Sequence, residues 1–208
     1  SALISDTADE RRRYLNAFIS QLDRAYLGSV MRYNAVLAER NRLLKTRPDE
    51  TMLQIYDMQL CEHGKAIHAR RQEFAERLQP VTAAYYSILS GDREQVELHY
   101  KSELNDRPFE EILLDARQKD IVNEFTTAGI HRDDLVLKIG GYPLRKYGSQ
   151  GQQKSFLIAL KLAQYAVAQT KGERPILLLD DLFDKLDAGR VEQLIRLVSD
   201  NTFGQILI

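Results

Sequence analysis

Ile176-Leu177-Leu178-Leu179-Asp180-Asp181, continued by Leu182-Phe183-Asp184-Lys185-Leu186-Asp187, is the stretch on which the fold turns. Four consecutive apolar residues predict a short strand buried on both faces, as in a parallel sheet. Two carboxylates then emerge at its C-terminal end, where α/β folds place ligands. Asp180 there suits a magnesium ion held through water, because that hard cation takes oxygen ligands, and Asp181 is placed to orient or activate an attacking water. The plainer alternative is a core strand followed by an acid-rich helix start, which the helix dipole favours.

Upstream, Tyr147-Gly148-Ser149-Gln150-Gly151-Gln152-Gln153 opens a long helix over about 151–169. A small glycine-bearing turn leading into a helix leaves backbone amides free and adds the positive end of the dipole, so it suits a phosphate. The Ser149 hydroxyl adds a donor. On its own, such a turn is an ordinary helix cap.

Further out, Leu135 to Ile139 and Tyr142 to Arg145 predict two strands joined by a Gly140-Gly141 hairpin turn. Val96, Leu98 and Tyr100 alternate like a half-buried strand, and Phe109 to Ala128 returns to helical spacing. With a helix near Arg190 to Val198 and an apolar segment Gln205 to Ile208, the order strand, helix, strand is that of an α/β unit with a parallel sheet.

Before Ser90-Gly91-Asp92 the chain reads as helix throughout. Thr7-Ala8-Asp9-Glu10 has the form of a capping box, and Leu15, Phe18, Ile19 and Leu22 make one stripe. A second stretch runs to Leu44. A third begins near Pro48 and places Leu53, Tyr56, Leu60, Ile67, Phe74, Leu78, Val81, Tyr85 and Ile88 near one face, with a kink expected at Pro80. Arg40, Arg42, Lys45, Arg70 and Arg71 form a candidate phosphate-contacting surface, the alternative being a solvated face of ordinary helices. The division expected is a helical arm over 1–91 and an α/β portion over 92–208.

Bulk composition fits a folded chain: 208 residues, 44% hydrophobic and 28% charged, with only 11 Gly and 5 Pro. Twenty-nine basic against 30 acidic residues leave no global basic field, so any nucleic-acid contact must be local. Cys61 stands alone, which excludes an internal disulfide and fits a reducing compartment. No apolar run approaches the ~20 residues needed to cross a bilayer, and a cytoplasmic protein without membrane partners is expected.

Ser149-Gln150-Gly151-Gln152 resembles the signature motif of ABC-class ATPases, with Gln150 in place of a glycine. Asp180-Asp181 and Leu186-Asp187 match the Walker B and D-loop pair at the expected spacing, with Asp181 in place of the usual glutamate. Both substitutions resemble the RecF family of DNA repair ATPases. The segments Asp9 to Leu15, Arg40 to Lys45 and Gly129 to Asp134 are similar to motifs of that family in the same order, so the resemblance covers nearly the whole chain. It implies the C-terminal part of an ABC-type P-loop ATPase head with an inserted all-helical arm like its lobe II. It further implies ATP and magnesium as cofactors and a homodimer that closes on ATP. In that dimer Ser149, Gly151 and Gln152 contact nucleotide in trans, Asp180 helps to hold magnesium, Asp181 acts on water and Asp187 communicates between subunits. The implied partners are DNA, both single-stranded gaps and duplex, and the RecO and RecR mediators, with roles in replication, recombinational gap repair and the SOS response.

The sequence departs from the family in having no G-x-x-x-x-G-K-S/T phosphate loop. Gly64-Lys65 is the only place where lysine directly follows glycine, and Gln59 and Ala66 break the pattern. The expectation is that the preceding part of the head, and a switch residue after Ile208, are missing, so that this chain alone does not hydrolyse ATP. An inert helical interaction module and another SMC-like ATPase are the competing readings, the arm being short for a long heptad coiled coil. His131 reads as structural.

Overall fold

A computed structural model describes residues 2–5, 7–46, 49–169, 176–178, 186–199, 203–204 and 206–207. The first part is helical: α1 (Ala2–Ser5), α2 (Ala8–Leu22), α3 (Arg24–Leu44) and α4 (Glu50–Ser90). Asp23 separates α2 from α3 and caps the latter, its carboxylate accepting from the amides of Ala25 (2.9 Å) and Tyr26 (3.1 Å). Thr7 stands before α2, but its side chain makes no capping bond. Glu10 pairs with Arg13 at 2.6 Å, so the capping box expected there does not form.

α4 is 41 residues long, and its buried positions leave the seven-residue register as it goes. Leu53, Leu60, Ile67, Phe74 and Leu78 are buried as expected and Tyr56 is half-buried, but further on the buried positions are Thr82, Tyr86 and Leu89, not Val81, Tyr85 and Ile88. A straight α-helix drifts about 20° per heptad, and five heptads suffice to hand the core face to the next residue. Pro80 lies inside the helix and does not end it. Gly91, at φ 66°, closes it.

β1 (Val96–Lys101) pairs antiparallel with β2 (Asp134–Ile139), Val96 facing Ile139 and Lys101 facing Asp134. Between them lies α5 (Phe109–Asn123). Gly140 (φ 54°) and Gly141 (φ 81°) make the predicted two-residue turn into β3 (Tyr142–Pro143). The strand expected to continue to Arg145 gives way to a helical turn, α6 (Leu144–Tyr147), which carries the fully buried Leu144 into the core. α7 (Gln150–Gln169) and α8 (Ala188–Ser199) flank β4 (Leu177–Leu178), which is parallel to β5 (Ile206–Leu207). Leu177 is 6% exposed, but Ile176 and Leu178 are 55% and 61% exposed. The described residues therefore bury one face of this strand, not both.

α4 packs against α3, α5, β1, α7 and α8. One hydrophobic cluster runs from Leu15 in α2 through Leu78 in α4 to Leu194 in α8.

Two arginines expected on a phosphate-contacting surface are interior. Arg40 is 0% exposed, with Nε on Asp57 (2.7 Å) and Nη1 on Asp120 and Thr126 (both 2.8 Å). Asp57 also accepts from Arg117 at 3.0 Å. Arg71, 2% exposed, donates to Tyr26 (3.1 Å), the Ile130 carbonyl (2.9 Å) and Asn16 (3.0 Å), with Asp133 3.5 Å away. Neither guanidinium can reach a phosphate backbone; both tie the arm to the segment after α5. Beside them His131 bridges Tyr33 (2.9 Å to Nδ1) and the Thr126 carbonyl (3.0 Å to Nε2). The carbonyl can only accept, so Nε2 carries the proton and Tyr33 donates to Nδ1. Burial, opposed by the Thr126 carbonyl, pushes the His131 pKa down to about 4, and the ring stays neutral.

Two outcomes follow. Replacing Arg40 with Leu leaves the buried Asp120 without its cation and Asp57 with Arg117 alone, and lowers unfolding free energy by about 3–5 kcal/mol; a loss under about 1 kcal/mol in denaturant titration would contradict the buried network. His131, with its folded pKa below the unfolded value of about 6.5, contributes stability that is complete above that pH. The contribution is lost as pH falls toward about 4, because only the unfolded chain takes up the proton. Urea midpoints measured down this range fall less steeply for His131→Gln than for the parent.

Candidate functional site

The start of α7 is built as a reciprocal cap. The Ser149 amide donates to Gln152 Oε1 (2.7 Å) and the Gln152 amide donates to Ser149 Oγ (3.2 Å), a capping box of the S-x-x-Q kind. Gln153 Nε2 ties the preceding turn by donating to the Gly148 carbonyl at 2.9 Å. At Gly148 a Cβ would come within 2.8 Å of both the Leu144 carbonyl and its Cδ1, so the turn closes only with glycine. By the geometry of a helix start, the amides of Gln150 and Gly151 are the first-turn donors that this box leaves open. Ser149 and Gln150 are exposed, and the Ser149 hydroxyl proton remains available outward. A helix start of this form suits an anion.

Asp187 caps α8: the Arg190 amide donates to its Oδ1 at 2.9 Å and Arg190 Nε reaches Oδ2 at 3.2 Å. That amide, against slight burial and with help from the guanidinium charge, holds the carboxyl below its usual range. Its side chain is 62% exposed. Ser149, Gly151, Gln152 and Asp187 thus stand at the starts of two helices, α7 and α8.

Two groups that no local pattern singles out join those starts. Glu94, between α4 and β1, accepts from Gln152 Nε2 at 3.0 Å and from Arg190 Nη2 at 3.0 and 3.1 Å, and also from the Tyr86 hydroxyl. Arg190, 6% exposed, places Nη1 on Ser155 Oγ at 2.8 Å. Burial alone would raise the Glu94 pKa, but donors from Tyr86, Gln152 and Arg190 hold it below the carboxylate norm.

Asp180 and Asp181 lie outside the described residues. Of the surface cations expected on the arm, Arg42 and Lys45 are exposed, Arg42 beside Glu39 at 3.1 Å. Arg70 is engaged with Asp23 and Glu73. Gly64-Lys65 is no phosphate loop: Gly64 lies within α4 against the Phe109 ring, and Lys65 pairs with Glu110. Among the described residues no cluster of His, Cys, Asp and Glu could hold a metal, and no helix is long and apolar enough to cross a membrane.

No family model matches the chain. Curated relatives do. The chain is 46% identical over 208 residues to the DNA replication and repair protein RecF of Parabacteroides distasonis and 43% identical over 211 residues to that of Bacteroides thetaiotaomicron. These alignments cover 99% and 100% of the chain but 57% of each relative. A solved RecF with ATP, described as a recombination mediator of the RecFOR pathway, superposes with a TM-score of 0.85 at 30% identity, over 99% of this chain and 58% of that one. The Smc head domain of Pyrococcus furiosus superposes with a TM-score of 0.51 at 15% identity, over 99% and 52%, and speaks for the fold alone. The architecture is that of the RecF and SMC heads, an ABC-type ATPase fold.

Ser149→Ala removes one arm of the capping box and lowers stability by about 1 kcal/mol. Gln152→Ala costs about as much, and the two together cost less than their sum, because each already breaks the reciprocal pair. Additive losses in thermal melts would show that the box is not cooperative.

Proposed function

Since the chain belongs to the RecF family of DNA replication and repair proteins, over a segment spanning 57% of the length of the curated members it matches, we propose that it forms the dimer-facing part of a DNA-binding ATP switch. In this reading Ser149, Gly151 and Gln152 of one subunit face nucleotide seated in the phosphate loop of the other. Asp180 helps to hold magnesium through water, Asp181 acts on the attacking water, and Asp187 faces across the dimer. ATP supplies phosphate charge that only the closed pair surrounds, so the closed state gains affinity that the open one lacks.

The observation that carries this reading is the exposed, capped start of α7, with its Ser149 hydroxyl and its open Gln150 and Gly151 amides, joined to Asp187 through Gln152, Glu94 and Arg190. A helix start of this kind fits an anionic ligand. With no phosphate loop in its sequence, the chain alone is not expected to hydrolyse ATP. The proposed partners are gapped and duplex DNA, with Arg42, Lys45 and Arg70 as the arm's surface cations, and the RecO and RecR mediators. The proposed setting is cytoplasmic gap repair, replication and the SOS response.

A second reading, a helical docking module, is favoured by one feature: Ile55, Met58 and Leu114 stand 53%, 73% and 59% exposed along a groove between α4 and α5. The full-length protein separates the two. Under the switch reading, sedimentation shows a dimer with ATP that Ser149→Arg abolishes, and DNA affinity rises with ATP. If dimerisation and DNA binding are the same with and without ATP, the docking module stands instead.

A further inference from the structure

The starts of α7 and α8 are separate in the chain, and neither helix by itself fixes the other. A continuous run of hydrogen bonds connects them. Ser149 N–H donates to Gln152 Oε1, Gln152 Nε2 to Glu94, Arg190 Nη2 to both Glu94 oxygens, and Arg190 Nε to Asp187. Both ends of the Gln152 amide are in use, and Arg190 reaches three places with different nitrogens, the third being Ser155 inside α7. The ion pair at its centre is shielded, with side chains 7% and 21% exposed, while Asp187 at its end is 62% exposed. A sheltered fork therefore holds an outward-facing carboxylate and an outward-facing helix cap in one fixed relation.

Resting on the proposed function above, we infer that Glu94 and Arg190 are positioning residues for the dimer contact: they set the Ser149 turn and Asp187 as a single preformed face for the opposite subunit's nucleotide site. An exposed Asp187 and a loosely hinged α7 start would each have to be ordered at the moment of closure, and the Glu94–Arg190 pair removes that cost beforehand. Neither residue touches nucleotide. Their effect is exerted through Gln152 and Asp187, so their loss weakens subunit closure and leaves nucleotide binding by a lone subunit in place.

The test uses the full-length protein with Glu94→Gln, Arg190→Gln, Arg190→Lys and the double Glu94→Gln/Arg190→Gln, with the parent and Ser149→Arg as controls. Three quantities are measured: ATP-dependent dimerisation by sedimentation, binding of a fluorescent ATP analogue to dilute monomer, and thermal melting. Each Gln variant is expected to raise the dimer dissociation constant about tenfold or more, with monomer nucleotide affinity within about twofold of the parent. Arg190→Lys keeps the charge without the fork and falls between. The double variant is no worse than the weaker single by more than about twofold, since one interaction is lost only once. Folded single variants that dimerise like the parent while Ser149→Arg does not would overturn this inference alone. So would a loss of monomer nucleotide binding in step with dimerisation, which marks a purely structural pair. A parent that does not dimerise with ATP, or a Ser149→Arg variant that does so normally, removes the switch reading and the positioning role with it.

Discussion

Burying one stripe of a 41-residue helix is the constraint from which the rest of this architecture follows. Such a helix is far longer than any single neighbour can cover, so α3, α5, β1, α7 and α8 are recruited along it in turn. Because the buried positions step from Leu53, Leu60, Ile67 and Phe74 to Thr82, Tyr86 and Leu89, the same side of the helix stays turned to its partners along its length. The helical part and the sheet-bearing part thereby share one continuous core through α4, and Leu78, Tyr86 and Leu89 carry it from one to the other.

Inside that core the polar groups are few, and the buried guanidinium groups meet specific partners. Arg40 and Arg71 are costly to desolvate, and each is matched by carboxylates, hydroxyls and carbonyls drawn from distant elements. Apolar packing alone tolerates sliding of one helix along another. A guanidinium that must meet Asp57 and Asp120 together does not, so these nodes set the register of α3, α4 and α5. Tyr33 and His131 extend the same fixation to the turn before β2.

Much of this was legible in the sequence wherever a physical period forces the pattern. The alternation at Val96, Leu98 and Tyr100, the Gly140-Gly141 turn and the long helix after Ser149 are all local demands, and all appear where they were expected. The likeness to the RecF family was legible too, as an order of short segments along the chain. What the sequence did not disclose was which charges fold inward. An arginine on a helix reads as solvated until its partners are known, and Asp120 lies 80 residues from Arg40. Tyr142 to Arg145 misled because Leu144 is placed by core packing and not by alternation. Glu94 escaped notice because it sits in a break between elements, and Arg190 because a basic residue in a helix's first turn looks unfavourable until the carboxylates of Asp187 and Glu94 are seen beside it. The Thr7 and Ser149 turns carry nearly the same capping pattern; only the second forms its box, where Glu94 steadies the glutamine.

The Tyr86 hydroxyl, from the last turns of α4, also donates to the Glu94 carboxylate. α4 is therefore clipped directly to the group that holds Gln152 and Arg190. A hydrogen bond is a short-range tie, and a displacement of the end of α4 by about an ångström is enough to lose it. The end of the long helix and the starts of α7 and α8 thus share a single carboxylate, and where one of the three sits constrains the other two.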